Sequence, residues 1–176
     1  PSLLALATAL CFATTWLVWL FARHPEQWTA LRDNPALIPQ AINEAVRLES
    51  PIQNFSRYVA RDVDIGGVTL PEGSRVIVSY GSANRDPRKW DRPEEFDILR
   101  EDVGEHLGFG HGEHNCVGKN LARLEMRALL TEPALFNWWI QAAARPYCVM
   151  PRPSAAKKAG SRRPRRGSNG MICAAV

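Results

Sequence analysis

The segment that most restricts what this chain can become is Phe109-Gly110-His111-Gly112-Glu113-His114-Asn115-Cys116-Val117-Gly118. Gly110, Gly112 and Gly118 let a backbone turn tightly and approach a flat ligand closely. Cys116 stands just before a predicted helix from Leu121 to Leu130. The free N–H groups and positive dipole end of that helix suit an anionic sulfur. Hydrogen bonds from those groups would tune electron donation from the sulfur to a bound metal. Phe109 can shield the sulfur from water, and His114 can reach an anionic edge of the ligand.

Other readings of the loop compete. A buried, inert cysteine is the commonest fate of a free thiol, but it leaves the glycine spacing unexplained. A zinc site from His106, His111, His114 and Cys116 has suitable ligand types. Its spacings match no common zinc module, and a Gly-rich loop holds four ligands poorly. A phosphate loop needs Lys-Ser/Thr after the glycines, and Gly118-Lys119-Asn120 lacks it. A thiolate ligand to a haem iron uses the whole segment.

The remainder of the chain gives this loop a setting. Pro25 and Glu26 open a short helix that Asn34-Pro35 stops. A second amphipathic helix runs from about Ile38 to Glu49, with Ile42, Ala45, Val46 and Leu48 as its apolar face, and Ser50-Pro51 ends it. From Phe55 to Tyr80 the pattern is strand-like, with turns at Asp64-Ile65-Gly66-Gly67 and Pro71-Glu72-Gly73. Ala83 to Asp102 has neither period and reads as an ordered, irregular meander. On the helix after the loop, Leu121, Leu124 and Ala128 fall on one face. After Leu130, Thr131-Glu132-Pro133 interrupts the helix.

Charge is unevenly spread. From Arg145 onward there are eight Lys and Arg and no Asp or Glu, so 14 basic residues (22 less eight) face all 18 acidic ones in the rest. A mildly acidic body therefore carries a basic tail, rich in Arg, Ser, Gly and Pro and expected to be disordered. Its lack of interleaved aromatics argues against nucleic acid as a partner. Cys11, Cys116, Cys148 and Cys173 are too irregularly spaced for a disulfide framework, which predicts a reducing, cytoplasmic setting. Pro1 to Ala22 carries no charge and is long enough to span a bilayer or to form a buried helix.

Two further motifs are weak alone. Glu44-Ala45-Val46-Arg47 puts an acid and a base on one helix face. Its ordinary meaning is a surface ion pair of roughly 0.3–0.5 kcal/mol. Phe96-Asp97-Ile98-Leu99-Arg100 lies in the meander. In order with the cysteine loop, however, Glu-x-x-Arg, Phe-x-x-x-Arg and Phe-Gly-x-Gly-x-His-x-Cys-x-Gly resemble the cytochrome P-450 family, its bacterial soluble branch above all. The resemblance runs from about His24 to Leu130.

The resemblance implies a fold that is mainly α with a small β-sheet (α+β): a partial cytochrome P-450 fold of helices, β-hairpin, meander and Cys loop. It implies three segments: an uncharged helix over 1–23, a remnant of the family's long central helix; a haem-binding C-terminal part over 24–130; and an atypical basic tail over 131–176. The cofactor implied is haem b, with Cys116 as the iron ligand and sole catalytic residue. Arg57 and His114 would contact haem propionates. Phe109, Gly110, Val117, Gly118, Leu121 and Ala122 would pack against the porphyrin. Glu44, Arg47 and Arg100 would form a buried charge network that locks the meander under the loop. The activity implied is insertion of one atom of dioxygen into a small organic substrate, with electrons from a ferredoxin-type donor docking near Lys119 and Arg123. The stretch Ser50 to Arg123 is similar to bacterial enzymes that oxidise para-substituted benzoates, which points to an aromatic substrate.

Both ends depart from the family pattern. An acid followed by Thr should precede His24. Ala13-Thr14-Thr15 has the threonines without the acid and lies too close to His24, and no acid stands near Thr8 to Leu10. Proton delivery would then be impaired. The family resemblance favours a buried helix over a membrane span for the first segment. The segments after Leu130 and before Arg23 are expected to come from a shifted frame or a fusion. The chain is expected to be a monooxygenase by family and inactive as this fragment alone; alternatives that remain open are a non-catalytic truncated or frame-shifted fragment that does not hold haem stably and a small membrane-anchored basic protein.

Overall fold

The computed structural model describes residues 3–132, 134, 136–138 and 171–174. Helix α1 (Leu3–Arg23) leads through His24 into α2 (Pro25–Asp33), and a 3-10 turn over Pro35–Leu37 joins α2 to α3 (Ile38–Glu49). Pro at a first-turn position opens α2, the turn and α3, where a missing N–H costs nothing. The side chain of Asn34 accepts from the Ala36 N–H at 3.2 Å, which caps the turn.

The core forms where α1, α3 and the later helix α5 (Lys119–Thr131) converge. Leu17, Leu20 and Phe21 of α1 pack there with Ala41, Ile42, Ala45 and Val46 of α3 and Met126 and Leu130 of α5. Phe21 meets Trp28, Phe96 and Phe136 edge-on, at centroid distances of 5.5, 5.3 and 5.8 Å. Such offsets set the negative ring faces against positive edges. Buried positions on α1 run from Ala13 to Phe21, and no helix among the described residues is long and apolar enough to cross a membrane.

Two small sheets follow. Strand β1 (Asn54–Tyr58) pairs antiparallel with β4 (Arg75–Ser79), setting Arg57 opposite Val76. Strands β2 (Val63–Ile65) and β3 (Val68–Leu70) form a hairpin. Its two turn residues, Gly66 and Gly67, have φ of +59° and +77°, the left-handed pair that matches strand twist. Asp64 and Ile65, expected in the turn, belong to β2 because only the glycines tolerate those angles. A one-turn helix, α4 (Tyr80–Ala83), hands the chain to the meander.

On α5 the face carrying Leu121, Leu124 and Ala128 is exposed, while Met126 and Leu130 are buried. The α5 sequence is apolar on more than one side, and α1 and α3 cover only one of them. The chain after Leu130 is not uniformly foreign to the fold: Phe136 is fully buried against Phe21 and Trp28, and Trp28 Nε1 donates to Asn137 Oδ1 at 3.1 Å. A disordered tail was also expected through residue 176, yet β5 (Met171–Ala174) pairs in parallel with β4. That expectation for residues 139–170 concerns a segment outside the described residues.

Candidate functional site

The site begins on α3. Its amphipathic pattern buries one face so completely that Glu44 and Arg47 are both at 0% exposure. Arg47 grips Glu44 with two parallel hydrogen bonds, Nε to Oε2 at 2.7 Å and Nη2 to Oε1 at 2.8 Å. Its other donors reach three backbone carbonyls: Asn84 at 2.7 Å, Pro93 at 2.9 Å and Glu95 at 3.1 Å. All five guanidinium N–H groups therefore have acceptors. The guanidinium also stands 5.3 Å from the ring centre of buried Trp90.

Arg100 arrives from the meander. Its Nε lies 3.3 Å from Glu44 Oε2, and its Nη atoms donate to the carbonyls of Asp91 at 2.6 Å and Arg92 at 3.2 Å. The Asp97 N–H adds a bond to Glu44 Oε1 at 3.1 Å. The sequence places Arg100 more than fifty positions from Glu44 and Arg47, and the fold brings all three into one buried cluster. Buried irregular backbone needs partners for every carbonyl, and the guanidinium forks supply them.

The cysteine loop rests on this cluster. Leu107 N donates to Asn84 Oδ1 at 2.7 Å, and Gly110 N donates to the Leu107 carbonyl at 2.8 Å. Cys116 N donates to the Phe109 carbonyl at 2.8 Å, which closes the loop. Gly110 (φ +74°) and Gly112 (φ +66°) take left-handed conformations, and a Cβ on Gly110 would lie 3.2 Å from the His114 carbonyl oxygen. Gly118 differs from expectation: with φ −84° it needs no glycine freedom, and it serves as the residue capping α5.

Cys116 is half-buried just before α5. Beside it in sequence Val117 is 89% exposed, and Leu121 is exposed one turn on. Phe109 and Ala122 are partly buried against the core. His114 is exposed, and Arg57 is half-buried on β1, its guanidinium 5.4 Å from the Phe55 ring centre. A flat macrocycle with an iron at its centre fits this donor set. One thiol is presented at a helix start, and the apolar side chains of Val117 and Leu121 adjoin it uncovered.

The zinc alternative does not assemble. Among the described residues no three His, Cys, Asp or Glu side chains gather as metal ligands. His106 is instead buried, and burial together with the nearby Arg123 and Arg47 cations lowers its pKa to about 4. The threonine pair on α1 is spent locally: Thr14 Oγ1 donates to the Leu10 carbonyl and Thr15 Oγ1 to the Cys11 carbonyl, at 3.0 and 2.7 Å. Ala13 beside them is buried.

Sequence reasoning missed Ser50 and the reach of Asn84. Ser50 ends α3 in a left-handed conformation (φ +38°) and is fully buried. Its Oγ donates to the Arg47 carbonyl at 3.1 Å and accepts from Asn84 Nδ2 at 2.8 Å. The polar run Asn84-Arg85-Asp86-Pro87 was the only signal, and it does not say that Asn84 is buried.

Comparison with known proteins agrees with this geometry. The cytochrome P450 family pattern matches residues 18–133, and the chain belongs to that family. It is 50% identical over 113 residues to cytochrome p450 CYP199A2 of Rhodopseudomonas palustris, covering 64% of this chain and 27% of that protein. It is 50% identical over 103 residues to the biotin biosynthesis cytochrome P450 of Bacillus subtilis, covering 58% of this chain and 26% of the relative. Among solved structures, cytochrome P450 CREJ in complex with (4-ethylphenyl) dihydrogen phosphate superposes with a TM-score of 0.68 at 40% identity, over 71% of this chain and 31% of that one. CYP109B1 of Bacillus subtilis gives a TM-score of 0.69 at 38% identity, over 73% and 35%. The chain thus spans about a quarter to a third of the relatives it matches. The family's cofactor is haem b.

Proposed function

We propose that this chain supplies the thiolate side of the haem site in a monooxygenase that inserts one oxygen atom of dioxygen into a small organic substrate. One observation carries the reading: Cys116 is presented before α5 by a loop whose base is bonded to the same buried cluster that holds the meander. Haem, when bound, supplies the redox chemistry on dioxygen. The residues of this chain bind and orient it. Cys116 would ligate the iron. Phe109, Gly110, Val117, Gly118 and Ala122 would lie against the ring and keep water from the sulfur, and Arg57 and His114 would take the propionates. Glu44, Arg47 and Arg100 hold the loop's platform.

Electrons would come from an acidic ferredoxin. Arg123 is a poorer docking residue than the sequence suggests, because Nη2 donates to Asn43 Oδ1 at 2.9 Å and the guanidinium stacks 5.2 Å from the Phe109 ring centre. Exposed Arg127 and half-buried Lys119 on the same helix are freer to meet a partner. An aromatic substrate rests on the similarity to benzoate-oxidising enzymes and to the CREJ complex, whose ligand is an aryl phosphate. The remaining length of the relatives would supply the rest of the catalytic unit.

The test is titration with haemin, followed by reduction under carbon monoxide. The parent chain should take up haem and show the red-shifted Soret band of thiolate ligation, and Cys116→Ser should lose that band. Equal spectra for the two would refute Cys116 as the ligand. No haem uptake by a folded parent chain would favour the non-catalytic fragment.

A further inference from the structure

We propose that Asn84 and His106 are positioning residues that fix the base of the cysteine loop, by accepting the consecutive backbone N–H groups of Leu107 and Gly108. The consequence for iron rests on Cys116 being the ligand; the anchor itself does not.

Leu107 N donates to Asn84 Oδ1 at 2.7 Å, and Gly108 N donates to His106 Nδ1 at 2.9 Å. Both acceptors are buried, Asn84 at 0% and His106 at 7% exposure. Asn84 has no freedom to turn. Its Nδ2 donates to Ser50 Oγ at 2.8 Å, and its carbonyl accepts from Arg47 Nη1 at 2.7 Å. A flip of the amide would set a donor against the Leu107 N–H and would draw the Ser50 hydroxyl proton away from the Arg47 carbonyl.

His106 is constrained in a different way. With Nδ1 accepting, the ring must be neutral and carry its proton on Nε2. The groups facing it enforce that form: Arg47 from α3, Arg123 from α5, and the Phe109 ring at 5.6 Å between centroids. A protonated ring would be a third cation among two and would have no acceptor for Gly108. Packing adds a third restraint. A Cβ on Gly108 would fall 2.5 Å from Val46 Cγ1 and 3.0 Å from the Val46 carbonyl oxygen, so the loop base lies directly on α3.

From this base two backbone bonds lead to the thiol, Gly110 N to the Leu107 carbonyl and Cys116 N to the Phe109 carbonyl. A displacement at Leu107-Gly108 is therefore passed to the sulfur rather than absorbed. Asn84 and His106 act through the loop; neither is assigned contact with haem.

The test needs no cofactor. Amide hydrogen exchange at Leu107, Gly108 and the α3 residues is measured by NMR on the full chain. Alkylation of Cys116 by iodoacetamide is followed by peptide mass spectrometry, with exposed Cys11 as internal reference. His106→Phe should speed exchange at Gly108 by about tenfold, the loss expected for one hydrogen bond, with α3 unchanged. The Cys116 to Cys11 alkylation ratio should change with it. His106→Asn, whose Oδ1 can stand in for Nδ1, should restore slow exchange and the parent ratio. Asn84→Asp, which keeps the acceptor, should leave Leu107 slow. Unchanged Gly108 exchange in His106→Phe overturns the proposal. If His106→Phe also loses protection across α3, His106→Asn decides: fast exchange at Gly108 with α3 intact overturns it. Because the readouts are taken without haem, failure of haem uptake would refute the ligand reading and leave these results standing.

Discussion

Replacing Arg47 with Lys keeps the charge and removes the fork. In the structure five N–H groups from three nitrogens serve five acceptors: both Glu44 oxygens and the carbonyls of Asn84, Pro93 and Glu95. A lysine ammonium has three protons on one atom, so at least two of these buried acceptors lose their partner. Each orphaned buried group costs about 1–3 kcal/mol, which gives roughly 2–6 kcal/mol for Arg47→Lys before the lost stacking on Trp90 is counted. Arg47→Ala leaves the three carbonyls without Arg47 and Glu44 with only Arg100 and the Asp97 N–H, at or beyond the roughly 3–5 kcal/mol of a broken buried pair. Against a total stability of about 5–15 kcal/mol, either change removes a large fraction. The assay is urea denaturation of the full chain, followed by circular dichroism and by tryptophan fluorescence. For a chain of this size each kcal/mol should also lower the thermal midpoint by about 2–4 °C. Haem uptake should fall in parallel, because Arg47 bonds the carbonyl of Asn84, whose side chain holds the loop. An Arg47→Lys protein within about 1 kcal/mol of the parent would show that the forked geometry is dispensable and refute the reasoning.

Gly108→Ala should destabilise by about 1–3 kcal/mol in the same denaturation, since its methyl group would overlap Val46 and the α3 backbone cannot yield. Ser50→Ala should cost more than Ser50→Gly by about 1 kcal/mol: both lose the hydroxyl that joins Arg47 and Asn84, but only Gly relieves the left-handed backbone. His106 gives a pH dependence with a definite sign. Its folded-state pKa, about 4 against an ordinary 6.5, is lowered by burial and by Arg123 and Arg47. The neutral ring is favoured by folding, so its stabilisation is complete above about pH 6.5 and is lost as pH falls towards 4. The loss amounts to about 3 kcal/mol, and the stability of the parent relative to His106→Asn should shrink by that amount between pH 7 and 4. A pH-independent difference would show that His106 titrates normally.

How much of this was legible in the letters depends on what kind of partner each residue has. Pro25, Asn34-Pro35, Pro51 and Gly66-Gly67 punctuate the chain by their own backbone chemistry, so α2, α3 and the hairpin could be read locally. The face of α5 could not: Leu121 and Leu124 are as apolar as Leu130, and periodicity cannot say which stripe α1 and α3 will cover. Phe136 was missed because a single aromatic beyond an interrupted helix has no period, although it fills the space between Phe21 and Trp28. The meeting of Glu44, Arg47 and Arg100 was suggested only by resemblance. Their spacing alone allowed an exposed pair, and five of the acceptors are backbone carbonyls, which no letter of the sequence encodes.

Those carbonyls also explain why the cluster is ionic. Buried ion pairs elsewhere can often be exchanged for apolar side chains at no cost, because the charges serve mainly one another. Here they do not. Arg47 and Arg100 together hold the carbonyls of Asn84, Pro93, Glu95, Asp91 and Arg92, while Glu44 accepts the Asp97 N–H as well as the two guanidinium groups. The meander has no helix or strand in which to bond its own backbone, so an apolar replacement would fill the volume and leave the carbonyls dry. The cluster therefore acts as substitute secondary structure for an irregular segment. Since α3 presents Glu44 and Arg47 to the meander and Val46 to Gly108, one helix turn sets the position of both, and the thiol of Cys116 inherits its place from that turn.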